Sequence, residues 1–220
     1  NVRDRFGRAA VPVHLPLGSE KNFNGIIDLI RMRSLCYKPG GDGKGKDADI
    51  PTPYQEAAIK AHEALVEMVA EGNDALLEEF FETGTLPPEH IVAGLQQAVR
   101  ERRIFPILCG AALQNIGADL LMNFIGEIFP SPLQGPEIAA VKDGAETTKV
   151  ISPNEPASLF VFKTSADPFA GRVTYFKVMS GTVKDDAHLT NMRSTVSERL
   201  AHIATPFGKT MQPTPELRAG

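Results

Sequence analysis

The sequence predicts a mixed α/β region followed by a region of short β-strands. Three observations support this fold class. Apolar side chains recur at helical spacing in the middle of the first 130 residues. A short apolar run, a turn of small residues and an amphipathic helix then follow, which is half of an α/β unit. Beyond a proline-rich linker, short apolar runs separated by turn residues have the spacing of a β-barrel.

The composition is that of an ordinary globular protein. The chain has 220 residues, with 42% hydrophobic and 23% charged residues, so a disordered tail is excluded. Its formal net charge of −4 argues against nucleic-acid binding through bulk charge, and any RNA contact must come from a local basic patch. No apolar run is as long as a membrane span and no signal peptide opens the chain, so we expect a cytoplasmic protein.

Short strands and a loop are predicted for the first fifty residues. The segments are a helix tail over 2–7, an extended stretch over 11–16, two or three strands over 23–37 and a glycine-rich loop over 39–49.

Three helices are predicted next. The first carries an apolar stripe from Tyr54 and ends at Gly72, and Asn73 caps a short second helix whose Phe80 and Phe81 are expected in the core. The third begins at Pro87 or Pro88, because proline suits the first turn of a helix.

An apolar run from Ile104 to Cys109 shows no alternation, which is typical of a strand buried on both faces. Small residues, Gly110 to Ala112, make the turn into an amphipathic helix over 117–129. The residues expected to face inward are Leu120, Leu121, Phe124, Ile125 and Ile128. Prolines from 130 to 136 mark a linker, and strands are predicted over 159–163, 172–179 and 188–190.

Several segments, taken in order, resemble the bacterial elongation factor G family of translational GTPases. Ile107 to Leu113, with the following Asn115-Ile116-Gly117, is similar to the last guanine-recognition loop of the GTPase domain. Ile128 to Pro132 is similar to the join between that domain and domain II. Residues 162–172 and on to 180–181 are similar to the start of the domain II barrel. Residues 215–220 are similar to a later segment of that barrel.

The resemblance covers nearly the whole chain and implies its organisation. Residues 1–132 would be the C-terminal part of the GTPase domain, including the G′ insertion over about 11–103. Residues 133–220 would be a truncated domain II β-barrel. The fold class is thus an α+β insertion with the last strand and helix of a P-loop GTPase fold, followed by an all-β translation-factor barrel.

The same resemblance implies a guanine-recognition loop at Gly110, Ala111, Ala112 and Leu113. In the family, the alanine amide of this loop donates to the guanine carbonyl oxygen, and that role maps onto Ala112. The preceding position is usually serine and here is Ala111, which keeps the backbone contact but removes a hydroxyl. Ligands of open α/β sheets bind at the carboxyl ends of the strands, where this loop lies. Tight packing of a helix on a sheet is the simpler alternative explanation of Gly-Ala-Ala.

The chain lacks the residues that hydrolyse GTP in the family. A P-loop needs G-x-x-x-x-G-K-[ST]; Gly208-Lys209-Thr210 ends like one, but Ile203 stands where the first glycine belongs. The segment from Gly40 to Lys46 has no serine or threonine after a Gly-Lys pair and is interpreted as a mobile surface loop. We therefore predict no catalytic residue here, and whether the chain is an enzyme stays open, although the full-length parent would be a GTPase.

No metal site is predicted. The two cysteines are too isolated for a zinc site, and the histidines have no metal-ligand spacing, so each is interpreted as structural or solvated; they are His14, His62, His90, His188 and His202. The resemblance implies that GTP or GDP and magnesium bind the full-length parent, with no cofactor held by this fragment alone.

The expected partner is the ribosome, with no DNA, no membrane and a monomeric state. The resemblance implies that the G′ insertion faces the ribosomal stalk protein and that domain II contacts small-subunit ribosomal RNA. The acidic candidates are Glu56, Glu63, Glu67, Glu71, Glu78 and Glu79, and the basic candidates are Lys163, Arg172, Lys177 and Lys184. Solubilising surface is the alternative interpretation of both sets.

The predicted function is that of a fragment of a GTP-dependent ribosomal translocation factor. One alternative is a non-translocating ribosome-binding paralogue, such as a ribosome protection factor, for which Ala111 is the hint. A second is an unrelated two-domain protein whose barrel binds nucleic acid by itself, against which the negative charge argues.

Overall fold

The structure is a computed structural model that describes residues 2–142, 144–167, 171–208 and 210–220. The chain divides into two compact units, Asn1–Phe129 and Pro130–Gly220. Each unit is described by itself.

The first unit combines helices with a small antiparallel sheet. Its helices are α1 (Val2–Phe6), α2 (Thr52–Ala70), α3 (Asp74–Thr83), α4 (Pro88–Arg100) and α5 (Ala118–Ile128). Its strands are β1 (Ala10–Pro12), β2 (His14–Leu17), β3 (Gly25–Asp28), β4 (Arg33–Cys36), β5 (Lys46–Ala48) and β6 (Phe105–Ile107). Strands β2 to β5 form an antiparallel sheet in sequence order, and β1 pairs with β6 in parallel.

The helix boundaries follow from local chemistry, as predicted. Asn73 caps α3, its side-chain oxygen accepting from the amides of Ala75 and Leu76. Helix α3 ends at Gly84, whose φ of 75° is a left-handed conformation that suits glycine. Pro88 occupies the first position of α4, where a missing amide proton costs nothing.

The main core lies where α2, α4 and α5 pack against the strands. Its fully buried side chains include Leu65 of α2, Leu95 of α4, and Val11 and Ile27 of the strands. Hydrophobic burial of this kind supplies most of the stability of a small domain.

Three side chains predicted to be buried are exposed. Phe81 is 76% exposed, while the adjacent Phe80 packs against the main core. Because successive residues of a helix point about 100° apart, α3 can turn only one of the two rings toward the core. Leu121 and Ile125 are likewise exposed, while Leu120, Phe124 and Ile128 are buried, so α5 packs through a narrower stripe than predicted.

Two strand predictions need correction. Strand β5 lies inside the segment predicted to be a loop, where it pairs with β4 through Lys46 and Asp47. All of its residues are exposed, so only the backbone hydrogen bonds define it. Strand β6 is not buried on both faces: Phe105 is 54% exposed, because β1 is the one strand paired with β6 in the described part of the chain.

His14 is a buried structural residue at the start of β2. Its side chain is 5% exposed, and its ring meets Phe124 edge-on with centroids 6.3 Å apart. Its Nδ1 has no hydrogen-bond partner among the described residues. Burial lowers the pKa of His14 below its ordinary 6.5, with partial opposition from the charge of Asp28, so His14 is neutral at pH 7.

The second unit consists of β-strands. They are β7 (Ile138–Lys142), β8 (Ala145–Lys149), β9 (Ser158–Asp167), β10 (Gly171–Ser180), β11 (Thr182–Lys184), β12 (Ala187–Asn191), β13 (Val196–Leu200), β14 (Ala204–Phe207), β15 (Thr210–Pro213) and β16 (Glu216–Arg218). Hairpins form between β7 and β8, β9 and β10, β12 and β13, and β14 and β15, whereas β11 pairs with the distant β16. The predicted motif at Pro168, Phe169 and Ala170 lies outside the described residues.

A polar network centred on the buried Ser180 joins β8, β9 and β10. The hydroxyl of Ser180, which is fully buried, donates to the Pro156 carbonyl at 2.8 Å. Lys149 Nζ donates to Ser180 Oγ at 2.5 Å, and Ser158 Oγ lies 2.6 Å from the same atom. Each polar atom thus has a partner, which offsets the cost of burying it. Beside this network, Val178, Val183 and Ala219 form a small apolar core.

The packing of α4 against α2 and α3 leaves no room for a methyl group at Gly94. A Cβ there would lie 2.3 Å from Val69 Cγ1 and 2.9 Å from Leu76 Cδ1. We expect Gly94→Ala to lower the free energy of unfolding by about 1–3 kcal/mol, measured by urea denaturation. The matched control is Gly126→Ala in α5, where a Cβ meets nothing within 4 Å. This substitution should raise the free energy of unfolding by about 0.5–1 kcal/mol. Equal stabilisation by both substitutions would contradict this packing.

The buried neutral His14 makes the stability of the first unit depend on pH. Because its folded pKa lies below 6.5, the unfolded chain binds the proton first as the pH falls. Stability is therefore fully present above about pH 6.5 and decreases as the pH falls below that value. Urea denaturation from about pH 7.5 to about pH 5.5 should show this decrease, with a shallower slope for His14→Asn. If the free energy of unfolding of the two proteins fell equally steeply with falling pH, His14 would not be the cause of the pH dependence.

Candidate functional site

The candidate site is the loop between β6 and α5. Ala111 and Ile116 form an isolated antiparallel bridge, with the Ala111 amide 3.0 Å from the Ile116 carbonyl and the reverse bond at 3.1 Å. The bridge encloses a 3₁₀ turn over Ala112–Gln114, which is closed by the Asn115 amide donating to the Ala112 carbonyl. The four predicted residues, 110–113, thus lie together on one backbone hairpin.

Two backbone donors of this loop are free. No hydrogen bond from the amide of Ala112 or Leu113 occurs within the described ranges, whereas the Ala111 amide is used by the bridge. Both residues are exposed, and the Leu113 side chain is fully so. Unpaired amides at an exposed loop can donate to an acceptor on a ligand.

Two left-handed residues allow the chain to close the hairpin and enter α5. Asn115 has φ 54° and Gly117 has φ 79°, conformations that asparagine and glycine adopt at the least cost. A Cβ on Gly117 would lie 2.5 Å from Ile26 Cδ1 and 3.1 Å from the Cys109 carbonyl oxygen. Glycine is therefore required both for its conformation and for the close approach of β3.

The glycine-rich segment 39–45, which was interpreted as a surface loop, is largely exposed and contacts this loop through Gly40, Gly41 and Gly43. The Gly40 amide donates to the Gln114 carbonyl at 2.8 Å, and Asn115 Nδ2 donates to the Gly41 carbonyl at 3.2 Å. Gly43 is buried, and a Cβ on it would lie 2.6 Å from Asn115 Nδ2. Glycine at position 43 thus allows the segment to approach the Asn115 side chain closely.

The Asp119 carboxylate links three parts of the site. It accepts from the Tyr37 hydroxyl at 2.7 Å, the Gly45 amide at 2.9 Å and the Leu120 amide at 2.8 Å. Burial alone would raise the pKa of Asp119, but these hydrogen bonds outweigh it and hold the pKa below its ordinary value. Burial and the bond to Asp119 raise the pKa of Tyr37, so its hydroxyl stays protonated and donates.

Cysteine and histidine side chains provide no alternative chemistry at the loop. Burial raises the pKa of Cys109 to about 11, so its thiol is protonated and unreactive at pH 7. No group of histidine, cysteine and carboxylate side chains suitable for a metal occurs in the part of the chain that the structure describes. His62 instead bonds the Leu29 carbonyl, and His90 lies 2.7 Å from a carboxylate oxygen of Glu79.

The basic candidates of the second unit lie on different ladders. Lys163 on β9 and Lys177 on β10 share one hairpin, whereas Lys184 pairs with Glu216 on the β11–β16 ladder. Lys163 Nζ lies 5.5 Å from the centre of the Tyr175 ring, a cation–π contact. Arg172 lies at the far end of the same hairpin, opposite Ala166.

Exposed aromatic side chains accompany these cations and were not predicted as site residues. Phe160 pairs with Lys177 and is 60% exposed, and Phe162, 61% exposed, lies 6.5 Å from the Tyr175 ring. We call this set the aromatic–basic face; it consists of the exposed Phe160, Phe162, Lys163 and Lys177 and the half-buried Tyr175. The clustering of aromatic and basic residues at 160–163 and 175–177 was the available sequence signal.

The acidic candidates of the first unit divide into paired and unpaired groups. Glu71 forms an ion pair with Arg8 at 3.0 Å, and Glu79 bonds His90. Glu56, Glu63 and Glu67 on α2 are exposed and form no ion pair with another described residue. One side of α2 is therefore an open acidic surface, which also carries the exposed Lys60.

Two comparisons with known proteins bear on this chain. Residues 156–220 match the family model described as elongation factor G domain 2. The whole chain is similar to the crystal structure of a protein from Thermus thermophilus, with 26% sequence identity and a TM-score of 0.78. The match covers 100% of this chain and 30% of that protein.

The family-model match identifies residues 156–220, which lie in the second unit, as similar to domain 2 of elongation factor G. Together, the two comparisons support the resemblance to an internal part of elongation factor G that was seen in the sequence. The predicted α/β region followed by a β-rich domain II is confirmed as well. No helix among the described residues is long and apolar enough to cross a membrane.

The entry into α5 can be tested at Gly117. We expect Gly117→Ala to lower the free energy of unfolding by about 1–3 kcal/mol, because it adds backbone strain and a clash with Ile26. Gly84→Ala is the matched control, since its φ is 75° but nothing lies within 4 Å of the added Cβ. It should show the cost of backbone strain alone, about 1 kcal/mol. Equal losses in denaturant melts would rule out the close contact with β3.

Proposed function

We propose that the full-length protein is a GTP-dependent ribosomal translocation factor and that this chain supplies one loop of its guanine site. The supporting observation is the pair of free amides, on Ala112 and Leu113, exposed on a rigid hairpin after a parallel strand. In parallel α/β sheets, ligands bind at that end of the strands.

The chemistry of a free amide suits recognition of guanine. An N–H donor at Ala112 matches the carbonyl oxygen at position 6 of guanine, whereas adenine has an amino group there. With adenine, the amino group and the Ala112 N–H would face each other as two hydrogen-bond donors, and neither would be satisfied. A buried unsatisfied donor costs about 1–3 kcal/mol. The loop therefore contributes to discrimination between the two bases by up to about two orders of magnitude.

GTP or GDP and magnesium are proposed as ligands of the full-length protein. The sequence of this chain contains no P-loop, so we assign phosphate binding, magnesium binding and hydrolysis to parts of the protein outside it. In the full-length protein, magnesium would neutralise the charge that develops on the transferred phosphate. What this chain does is position the base and present surfaces to the ribosome.

We assign the ribosomal RNA contact to the aromatic–basic face. Phosphates are recognised by cations such as Lys163 and Lys177, and unpaired bases stack on aromatic rings such as Phe160. The local face compensates for the unfavourable net charge of −4. The open acidic surface of α2, formed by Glu56, Glu63 and Glu67, is assigned to the ribosomal stalk protein.

Nucleotide titration tests the proposal. Calorimetry with GDP should show weak or no binding to this chain alone, because one loop without a P-loop supplies too few contacts. The full-length protein should bind GDP and prefer it to ADP. Micromolar affinity of the chain alone would contradict the division of roles, and absence of GDP binding by the full-length protein would overturn the function. Hydrolysis on ribosomes without translocation would favour the non-translocating paralogue.

A further inference from the structure

We propose that Tyr37 and the glycine-rich segment 39–45 act as a brace that positions the guanine-recognition loop. The brace belongs to the sheet of β2 to β5, here called the inserted sheet, since Tyr37 follows β4 directly and the segment leads into β5. The inference rests on the proposed function for its link to nucleotide, but the brace itself is tested separately. Its residues hold the loop from behind and are positioning residues.

The first contact of the brace is made by backbone and by Asn115. The Gly40 amide binds the last carbonyl of the 3₁₀ turn, that of Gln114, while Asn115 reaches back to the Gly41 carbonyl. These two bonds connect two consecutive residues at the end of the turn to the glycine-rich segment. The free amides of Ala112 and Leu113 lie on the turn that they hold.

The second contact is made through Asp119 at the start of α5. Its carboxylate receives the Tyr37 hydroxyl on one oxygen and the Gly45 amide on the other. Tyr37 lies just before the glycine-rich segment and Gly45 ends it, so both ends of the segment are attached to the first turn of the helix. The loop and the helix that follows it are thereby held by the same segment.

Apolar packing lies beneath these bonds. Ile26, Leu35 and Tyr37 of the inserted sheet form one cluster with Ile116 and Leu120. This cluster is distinct from the main core of α2 and α4. The loop therefore rests on the inserted sheet, and displacement of that sheet displaces the donors that face the base.

Hydrogen exchange of the full-length protein tests the brace without nucleotide. The reporters are the hydrogen-bonded amides of Gln114, Asn115 and Ile116. Tyr37→Phe removes one hydroxyl, and Asn115→Gly removes one side chain while tolerating the left-handed backbone. Each should accelerate exchange of the remaining reporters about three- to tenfold, the effect of one hydrogen bond.

The matched control is Tyr54→Phe. Its hydroxyl accepts a hydrogen bond from the Gly18 amide at 3.2 Å, elsewhere in the same unit, so the substitution removes one tyrosine hydroxyl bond without touching the loop. It should leave the reporter amides unchanged. Unchanged exchange in both brace variants, or equal acceleration in the control, overturns the brace whether or not the protein binds nucleotide.

Nucleotide affinity then tests positioning. The brace variants should bind GDP about three- to tenfold more weakly, with a smaller effect on the diphosphate of 2-aminopurine riboside, which lacks the carbonyl oxygen. An equal loss for both nucleotides, or no loss for GDP, overturns positioning of the donors. A wild-type protein that binds no GDP refutes the proposed function, and the exchange result still decides the brace.

Discussion

The carboxylate of Asp119 is the contact on which the candidate site depends. It joins the first turn of α5 to the hydroxyl of Tyr37 and the amide of Gly45, which lie 82 and 74 residues before it in the sequence. A carboxylate accepts several hydrogen bonds at once, and each is strengthened by its charge. The same carboxylate therefore fixes the entry into the helix and the path of the glycine-rich segment.

The loop itself is held by backbone groups. Ala111 uses both its amide and its carbonyl in the bridge to Ile116, and its side chain makes no hydrogen bond. The bridge depends on the backbone alone, so the alanine side chain at position 111 is compatible with it. The second unit shows a different solution, in which Lys149 and two serines hold adjacent strands through buried polar contacts.

Sequence reasoning succeeded where the cause of the structure is local. The cap at Asn73 and the start of α4 at Pro88 depend on residues within one turn, and both are observed. It failed at β5, whose exposed residues carry no apolar pattern. Tyr37 and Asp119 were missed because they are 82 residues apart, and neither has a neighbour in the sequence that marks the contact. The loop was located by its resemblance to a family, and its support became visible only in three dimensions.

Close packing explains why glycine is so frequent around this site. At Gly43 and Gly117 a methyl group would meet Asn115 or Ile26 at less than 3 Å. Chain segments that approach so closely transmit a displacement directly, because a packed interior has little free volume to absorb it. A protein that alters its affinity for a nucleotide when it meets a large partner needs such a rigid path. In this chain the sheet of β2 to β5 and the glycine-rich segment after β4 are joined to the loop in this way, by an apolar cluster and by hydrogen bonds.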